Sequence, residues 1–416
     1  MFTRRFVLKS SGLALVSFGA VPAVLARALG AAKGAGRKKT LVVVFQRGAC
    51  DGLNTVIPYG EEPYRRLRPT IAIPAPRGGS REAALDLDGF FGLHPALHPL
   101  LPLWKEGSLA AVQAVGSPDP TRSHFDAQDF MESGTPGRKS TEDGWLNRHL
   151  QDDPDPGATP FRGVSMTPAL PRILAGRVPA VAMASIREFG LRPAAGGAAA
   201  RGFEEMYREP VRDVLHGAGR GTFEAVRFLR QADPTRYRPA AGVEYPRGRY
   251  GDSLMQIAQL VKADVGLEVA FTETGGWDHH AGEGGVQGQL AGRLRELGQG
   301  LAAFHRHLGD RMGDVVVVTL TEFGRTVREN GNRGTDHGHA SVSLVLGGGV
   351  RGGRVAGRWP GLAADRLHEA RDLAVTTDFR DLLGEVLDRH MGARDLGAVF
   401  PGHAATPSRF PGVMRS

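Results

Sequence analysis

Apolar residues along this chain fall into short unbroken runs instead of a strict alternation with polar ones. Leu41 to Phe45 (LVVVF), LAAVQAVG at 109–116, LEVAFT at 267–272, VVVVTL at 315–320 and SVSLVL at 341–346 each have the length of one strand. Such runs are expected of strands covered by helices on both faces of a sheet. Helical patterns lie between them. LHPALHPLLPLWKEG predicts a short helix, SHFDAQDFMESG a second whose first turn carries Ser123 and His124, and SLMQIAQLVKA a third. The stretch Gln287–Leu308 sets Leu290, Leu294, Leu297, Leu301 and Phe304 on one face at the helical period. TTDFRDLLGEVLDRHMG predicts a closing helix that Gly392 caps. This alternation predicts an α/β fold: one domain over residues 40–400, with a doubly wound, mainly parallel sheet and helices on both faces. Residues 150–250, rich in Pro, Gly and Arg and without a sustained period, are expected to be a loop-rich insertion capping one sheet edge.

The first thirty residues follow a different order. Arg4 and Arg5, then Phe6, Val7, Leu8 and Lys9, precede a modest apolar stretch from Gly12 to Leu25, with small residues at Ala26 and Ala28. This resembles a twin-arginine signal peptide over residues 1–30 and implies a partner in the twin-arginine export machinery. A periplasmic or extracellular location follows, with export of an already folded chain that often carries its metal. The apolar stretch is too short, and too rich in Gly, Ala and Pro, for a transmembrane anchor. The charge imbalance lies in the first 39 residues, and cleavage after Ala26 would leave five of their eight bases. The chain has 52 Lys and Arg against 44 Asp and Glu, and residues 1–39 hold eight of those bases and no acid. Removing those eight from 52 leaves 44 bases against 44 acids, with no basic cluster interleaved with aromatics. Nucleic acid is therefore not an expected partner. The single cysteine, Cys50, excludes an internal disulfide and reads as a small buried residue.

Acids and imidazoles collect where the apolar runs end. Asp51 follows the first strand in a Gly-containing loop, and Asp278 and His280 stand two apart after LEVAFT. Glu322 and Arg325 follow VVVVTL, while Asp336, His337 and His339 come just before SVSLVL. Residues two apart in an extended segment project to one side, which pairs Asp278 with His280 and His337 with His339. The C-terminal ends of strands are where an open α/β sheet builds its site. The predicted metal set is Asp51, Asp278, His280, Glu322 and His337, with His124, Asp336 and His339 in reserve. Carboxylates and imidazoles without thiolates suit one or two divalent ions: Zn, Mn, Mg or Ca. Two such ions can clamp the attacking and leaving oxygens of a phosphoryl or sulfuryl transfer. A capped turn accounts for any one cluster; three in succession point to a site. His94 and His98 lie among Pro95 and Pro99 and read as structural. Gly347, Gly349 and Gly352 fit a dinucleotide fingerprint, but RVAGRWPG follows and cannot form the required helix, so a tight turn is expected.

Taken together, the leader, RGACDGLN, RSHFDAQDFMESG, GGWDHH, TEFGRT and GTDHGHA with LGGGV resemble the exported bacterial proteins of domain-of-unknown-function family 1501. More broadly, the chain resembles the alkaline phosphatase/sulfatase superfamily. That resemblance implies that Asp51 bridges two metals, that Asp278 and His280 supply one of them, and that His337 completes it. TTDFRDLL is similar to the superfamily's late Thr-Asp helix. The chain departs from the superfamily at TEFGRT, which stands in place of Thr/Ser-x-Asp-His-Gly, so that Glu322 replaces an Asp-His pair. The superfamily's nucleophile position falls at Ser123, a residue equally suited to capping its helix. Arg122 and Arg325 are the candidates for holding an anionic group. The implied function is an exported metal-dependent hydrolase or transferase acting on phosphate or sulfate esters, small or polymeric. The alternative is an exported binding or scaffold protein that keeps the fold without turnover.

Overall fold

The computed structural model describes residues 14–16, 37–78, 80, 82–155, 158–189 and 225–415. Most of the leader and residues 190–224 of the expected capping region lie outside these. The fold is α/β, built on a large, mostly parallel sheet with helices on both faces. Its strands are β1 (Thr40–Gln46), β2 (Leu109–Gly116), β3 (Gly163–Ser165), β4 (Ala180–Ala182), β5 (Val269–Thr274), β6 (Val315–Thr321), β7 (Ser341–Gly347), β8 (Val355–Ala356) and β9 (Thr377–Asp378). The spatial order is β4-β3-β5-β1-β6-β7-β2-β8, with β9 also on β2 and a short strand, Ala14–Val16, on β4.

β1 pairs in parallel with β5 and β6 along its whole length. β7 is reversed against both its neighbours, β6 and β2. That reversal matters for the site: the start of β7 lies at the edge where β1, β2, β5 and β6 end. Residues preceding β7 therefore meet residues following the others.

The continuous apolar strands divide their side chains between two cores. Val42 and Val44 of β1 point to the face covered by α3 (Arg249–Lys262) and α4 (Gln289–Leu308). Leu41, Val43 and Phe45 point to the opposite face, covered by α2 (Trp145–Asp152) and α5 (Phe379–Val386). Leu290, Leu294, Leu297, Leu301 and Phe304 of α4 are all buried, as their spacing predicts. Gly392 caps the last helical turn in the left-handed conformation, at φ 69°. GGGV closes as a tight turn. The region 150–250 does more than cap: it supplies β3 and β4, which extend the sheet at the edge where loops and short helices were expected. Among the described residues no helix is long and apolar enough to cross a membrane.

Candidate metal centre

Three of the strand-end segments meet as a cluster. His124, Asp278 and His337 place ligand atoms within 4.8 Å of one another. His124 is the first residue of α1 (His124–Ser133), reached through the loop that leaves β2. Asp278 and His280 lie in the loop after β5, where burial alternates: Trp277 and His279 are buried, and Asp278 and His280 are exposed. His337 is brought in from the segment before the reversed β7. His124 Nε2 lies 3.5 Å from Asp278 Oδ2, and His337 Nε2 lies 3.3 Å from Asp278 Oδ1. His280 Nε2 is 2.9 Å from Asp278 Oδ1 and 3.0 Å from His337 Nε2.

The donor set fits a divalent ion. His124 faces one oxygen of Asp278 and His337 the other, and the three donors, all within 4.8 Å, form a looser set than the about 3.3–3.4 Å between donors that bonds of ~2.0–2.1 Å give in tetrahedral zinc. His124 Nε2 is buried and has no hydrogen-bond partner among the described residues, as a nitrogen kept for a ligand would be. Each cluster member is also held from behind. Glu322 Oε1 accepts from His124 Nδ1 at 2.8 Å, and the Arg122 carbonyl accepts from His337 Nδ1 at 2.9 Å. Arg325 donates to Asp278 Oδ1 at 2.7 Å, and Asp336 Oδ1 contacts His280 Nδ1 at 3.0 Å. These bonds turn the Nε2 atoms of His124 and His337 toward Asp278, which is how metal-ligating imidazoles are oriented, with His337 Nε2 also 3.0 Å from His280 Nε2.

Electrostatics support the same roles. Partial burial pushes the Asp278 carboxyl up, but the Arg325 hydrogen bond and charge outweigh it and hold the group below its usual range. His124 is raised, chiefly by its bond to Glu322. Burial lowers His337, with the Arg122 carbonyl opposing. Phe323 forms an apolar wall, its ring 4.9 Å from that of His124 and 5.0 Å from that of His337.

Several expected site residues have other duties. Asp51 is buried in a bidentate pair with Arg68, which also donates to the carbonyl of Thr326 at 2.8 Å. Burial raises the Asp51 carboxyl, and the Arg68 charge and hydrogen bonds bring it below the usual range. A guanidinium thus meets the charge that was expected to bridge metals. Glu322 is buried and takes bonds from Gly48 N, Gln128 Nε2 and Thr321 Oγ1, so it supports His124 from outside the cluster. Ser123 accepts the capping bond from Asp126 N at 3.4 Å. Its oxygen thus serves the helix end in this structure. Arg122 is tied through one terminal nitrogen to Glu369 and Asp372, its Nε without a partner among the described residues, and Arg325 is tied to Asp278 and Thr335.

His339 does not share a side with His337; it is buried and stacks on His368 at 4.3 Å. Gly338 lies against the Arg325 backbone, where a side chain could not fit, and the chain bends at His339 instead of running on extended. His94 caps a 3-10 helix through Nδ1, as a structural histidine. Cys50 is buried, and burial pushes its thiol up to about 12, which leaves it inert near neutral pH.

The sequence reading missed Glu283. It is fully buried and accepts from Thr335 Oγ1 at 2.7 Å. Burial first, and the Asp51 charge second, drive its carboxyl well above the usual range. GEGG gives no periodic or motif signal for such a residue.

Residues 105–401 match the model of a family described as a protein of unknown function, DUF1501. The chain belongs to this family. The matched span covers His124, Asp278, His280, Glu322 and His337, and stops short of Asp51 and Arg68. No curated protein and no solved structure matches the chain.

Proposed function

We propose that this DUF1501 protein is an exported metal-dependent hydrolase of phosphate or sulfate esters, with one divalent ion held by His124, Asp278 and His337 and with His280 at their side. The observation that carries this reading is the cluster itself: three donors from three strand ends, each oriented by a separate partner. An alkaline phosphatase/sulfatase-like ancestry accords with the loops after β5 and before β7. Export by the twin-arginine route accords with a chain that folds around its ion before leaving the cytoplasm.

A bound divalent ion supplies Lewis-acid polarisation of an ester oxygen and acidification of an attacking water. The chain's own residues do the rest. Arg325 keeps Asp278 ionised, Glu322 and the Arg122 carbonyl hold the two imidazoles in register, and Phe323 excludes solvent from one side. Arg68 on Asp51 and the apolar cluster of Ala49, Ala127 and Phe323 favour a single ion over two.

The second reading, an exported metal-binding protein without turnover, draws on the capped Ser123 and the two engaged arginines. A screen of generic phosphate and sulfate esters with protein purified from its export compartment separates the two. Hydrolysis by wild type that persists in Ser123→Ala supports a hydrolase that attacks with water. Loss of hydrolysis in Ser123→Ala at unchanged metal content restores the serine, and no turnover of any ester by wild type favours the binding protein.

A further inference from the structure

The turn His368–Asp372 has no part in the metal cluster, yet it grips His337 from two directions. Asp372 is fully buried, and its Oδ2 accepts from Arg122 at 2.6 Å and from Arg371 at 3.3 Å. Arg122 presents the carbonyl that receives the His337 Nδ1 proton, and Arg371 donates to the carbonyl of His337 itself at 3.0 Å. Both contacts on His337 therefore run back to one carboxylate. Among the described residues Asp372 Oδ1 has no hydrogen-bond partner, so the two guanidinium groups carry its stabilisation. The turn is also strained. Glu369 and Ala370 take left-handed conformations at φ 50° and 52°, which residues with a side chain rarely adopt in succession. Such strain persists only where surrounding contacts over-determine the backbone. Here those contacts are the Arg122 pairs to Glu369 and Asp372 and the backbone bridges from Asp372 to His368 and Thr326.

We propose that Asp372 is a positioning residue for His337, acting through Arg122 and Arg371 to fix the imidazole with its proton on Nδ1 and its Nε2 turned into the cluster. The proposal rests on the metal reading for its purpose, and on geometry alone for the tautomer. A neutral imidazole free to exchange tautomers spends part of its time with the proton on the nitrogen a metal needs. Holding the Arg122 carbonyl in place removes that state.

The test uses the full exported chain and zinc as the probe. Long-range nitrogen–proton NMR of histidine-labelled, zinc-free protein reads the His337 tautomer, and competition with a chelator reads zinc affinity. Wild type is expected to show His337 protonated on Nδ1. Asp372→Asn is expected to show a tautomer mixture and zinc binding about 10–100-fold weaker, the range for loss of a ligand's supporting partner. Arg371→Ala, whose side chain is 40% exposed, provides a variant that keeps the core intact and should move both readings in the same direction. Glu385→Gln controls for a merely structural acid. Glu385 holds the backbone N–H groups of Gly412 and Met414, so this change should lower stability and leave tautomer and affinity alone. Wild-type tautomer and zinc affinity in both Asp372→Asn and Arg371→Ala would overturn the proposal. If wild type binds no zinc while Asp372→Asn still scrambles His337, the metal reading fails and the positioning role stands.

Discussion

His124 owes its orientation to a carboxylate outside the cluster. Glu322 takes the Nδ1 side at 2.8 Å and leaves Nε2 facing Asp278. Glu322→Gln keeps the shape, and most of the bonds from Gly48 and Gln128, but removes the charge that stabilises the ring. We expect about tenfold weaker zinc binding with little change in melting temperature, measured by chelator competition and thermal unfolding. Among single residues, the sequence was most informative where the backbone is extended. Asp278 and His280 share a side because GGWDHH alternates, and burial of Trp277 before them and His279 between them reflects the same period. It was least informative where a partner arrives from far along the chain. Nothing in RGACDGLN signals that Arg68 neutralises Asp51, and nothing near Ser123 separates a cap from a nucleophile.

At the scale of elements, the direction of one strand settles which residues can meet. His337 precedes its strand, whereas Asp278, Glu322 and Asp51 follow theirs. In an all-parallel sheet His337 would lie at the opposite edge, so the reversed β7 is a requirement of the site. Run length and helical period gave the strands and helices, because both report burial directly. They carry no sign for strand direction, and the short β3 and β4 were too brief to rise above their Pro- and Gly-rich surroundings.

A second element makes a prediction about pH. His94 caps its 3-10 helix by accepting from Ala96 N and contacts the Gly285 carbonyl through Nε2; burial lowers its pKa to about 4. The unfolded chain binds a proton near pH ~6.5 and the folded one does not until about 4, so stability is complete above the higher value. As pH falls between the two, folding must exclude that proton, and about 3 kcal/mol is lost. His94→Asn keeps an acceptor at the cap without a titrating ring. Urea unfolding of this variant should show a flatter pH dependence across that window, whatever its stability at neutral pH; an unchanged slope would remove His94 from the account.

The proposed function joins a folded single-ion site to a leader that resembles the twin-arginine type. Replacing Arg4 and Arg5 with lysine should keep the precursor in the cytoplasm, followed by fractionation and immunoblotting, since the paired arginines are what the exporter reads. Normal appearance beyond the inner membrane after that change would contradict this route. The family was legible because its motifs are spread over most of the chain, and the α/β architecture because strands and helices alternate through it. The ion count we propose was not, since it rests on Arg68 and Phe323, whose positions appear only once β1, β6 and the loop carrying Arg68 are brought together. The most direct measurement is the metal content of the exported protein by mass spectrometry, for wild type, Asp278→Ala and His337→Ala. A single divalent ion per chain in wild type, and its loss in both variants with the fold retained, is the predicted result. Full occupancy in both variants, or a metal-free wild type that takes up no divalent ion when offered one, would contradict it.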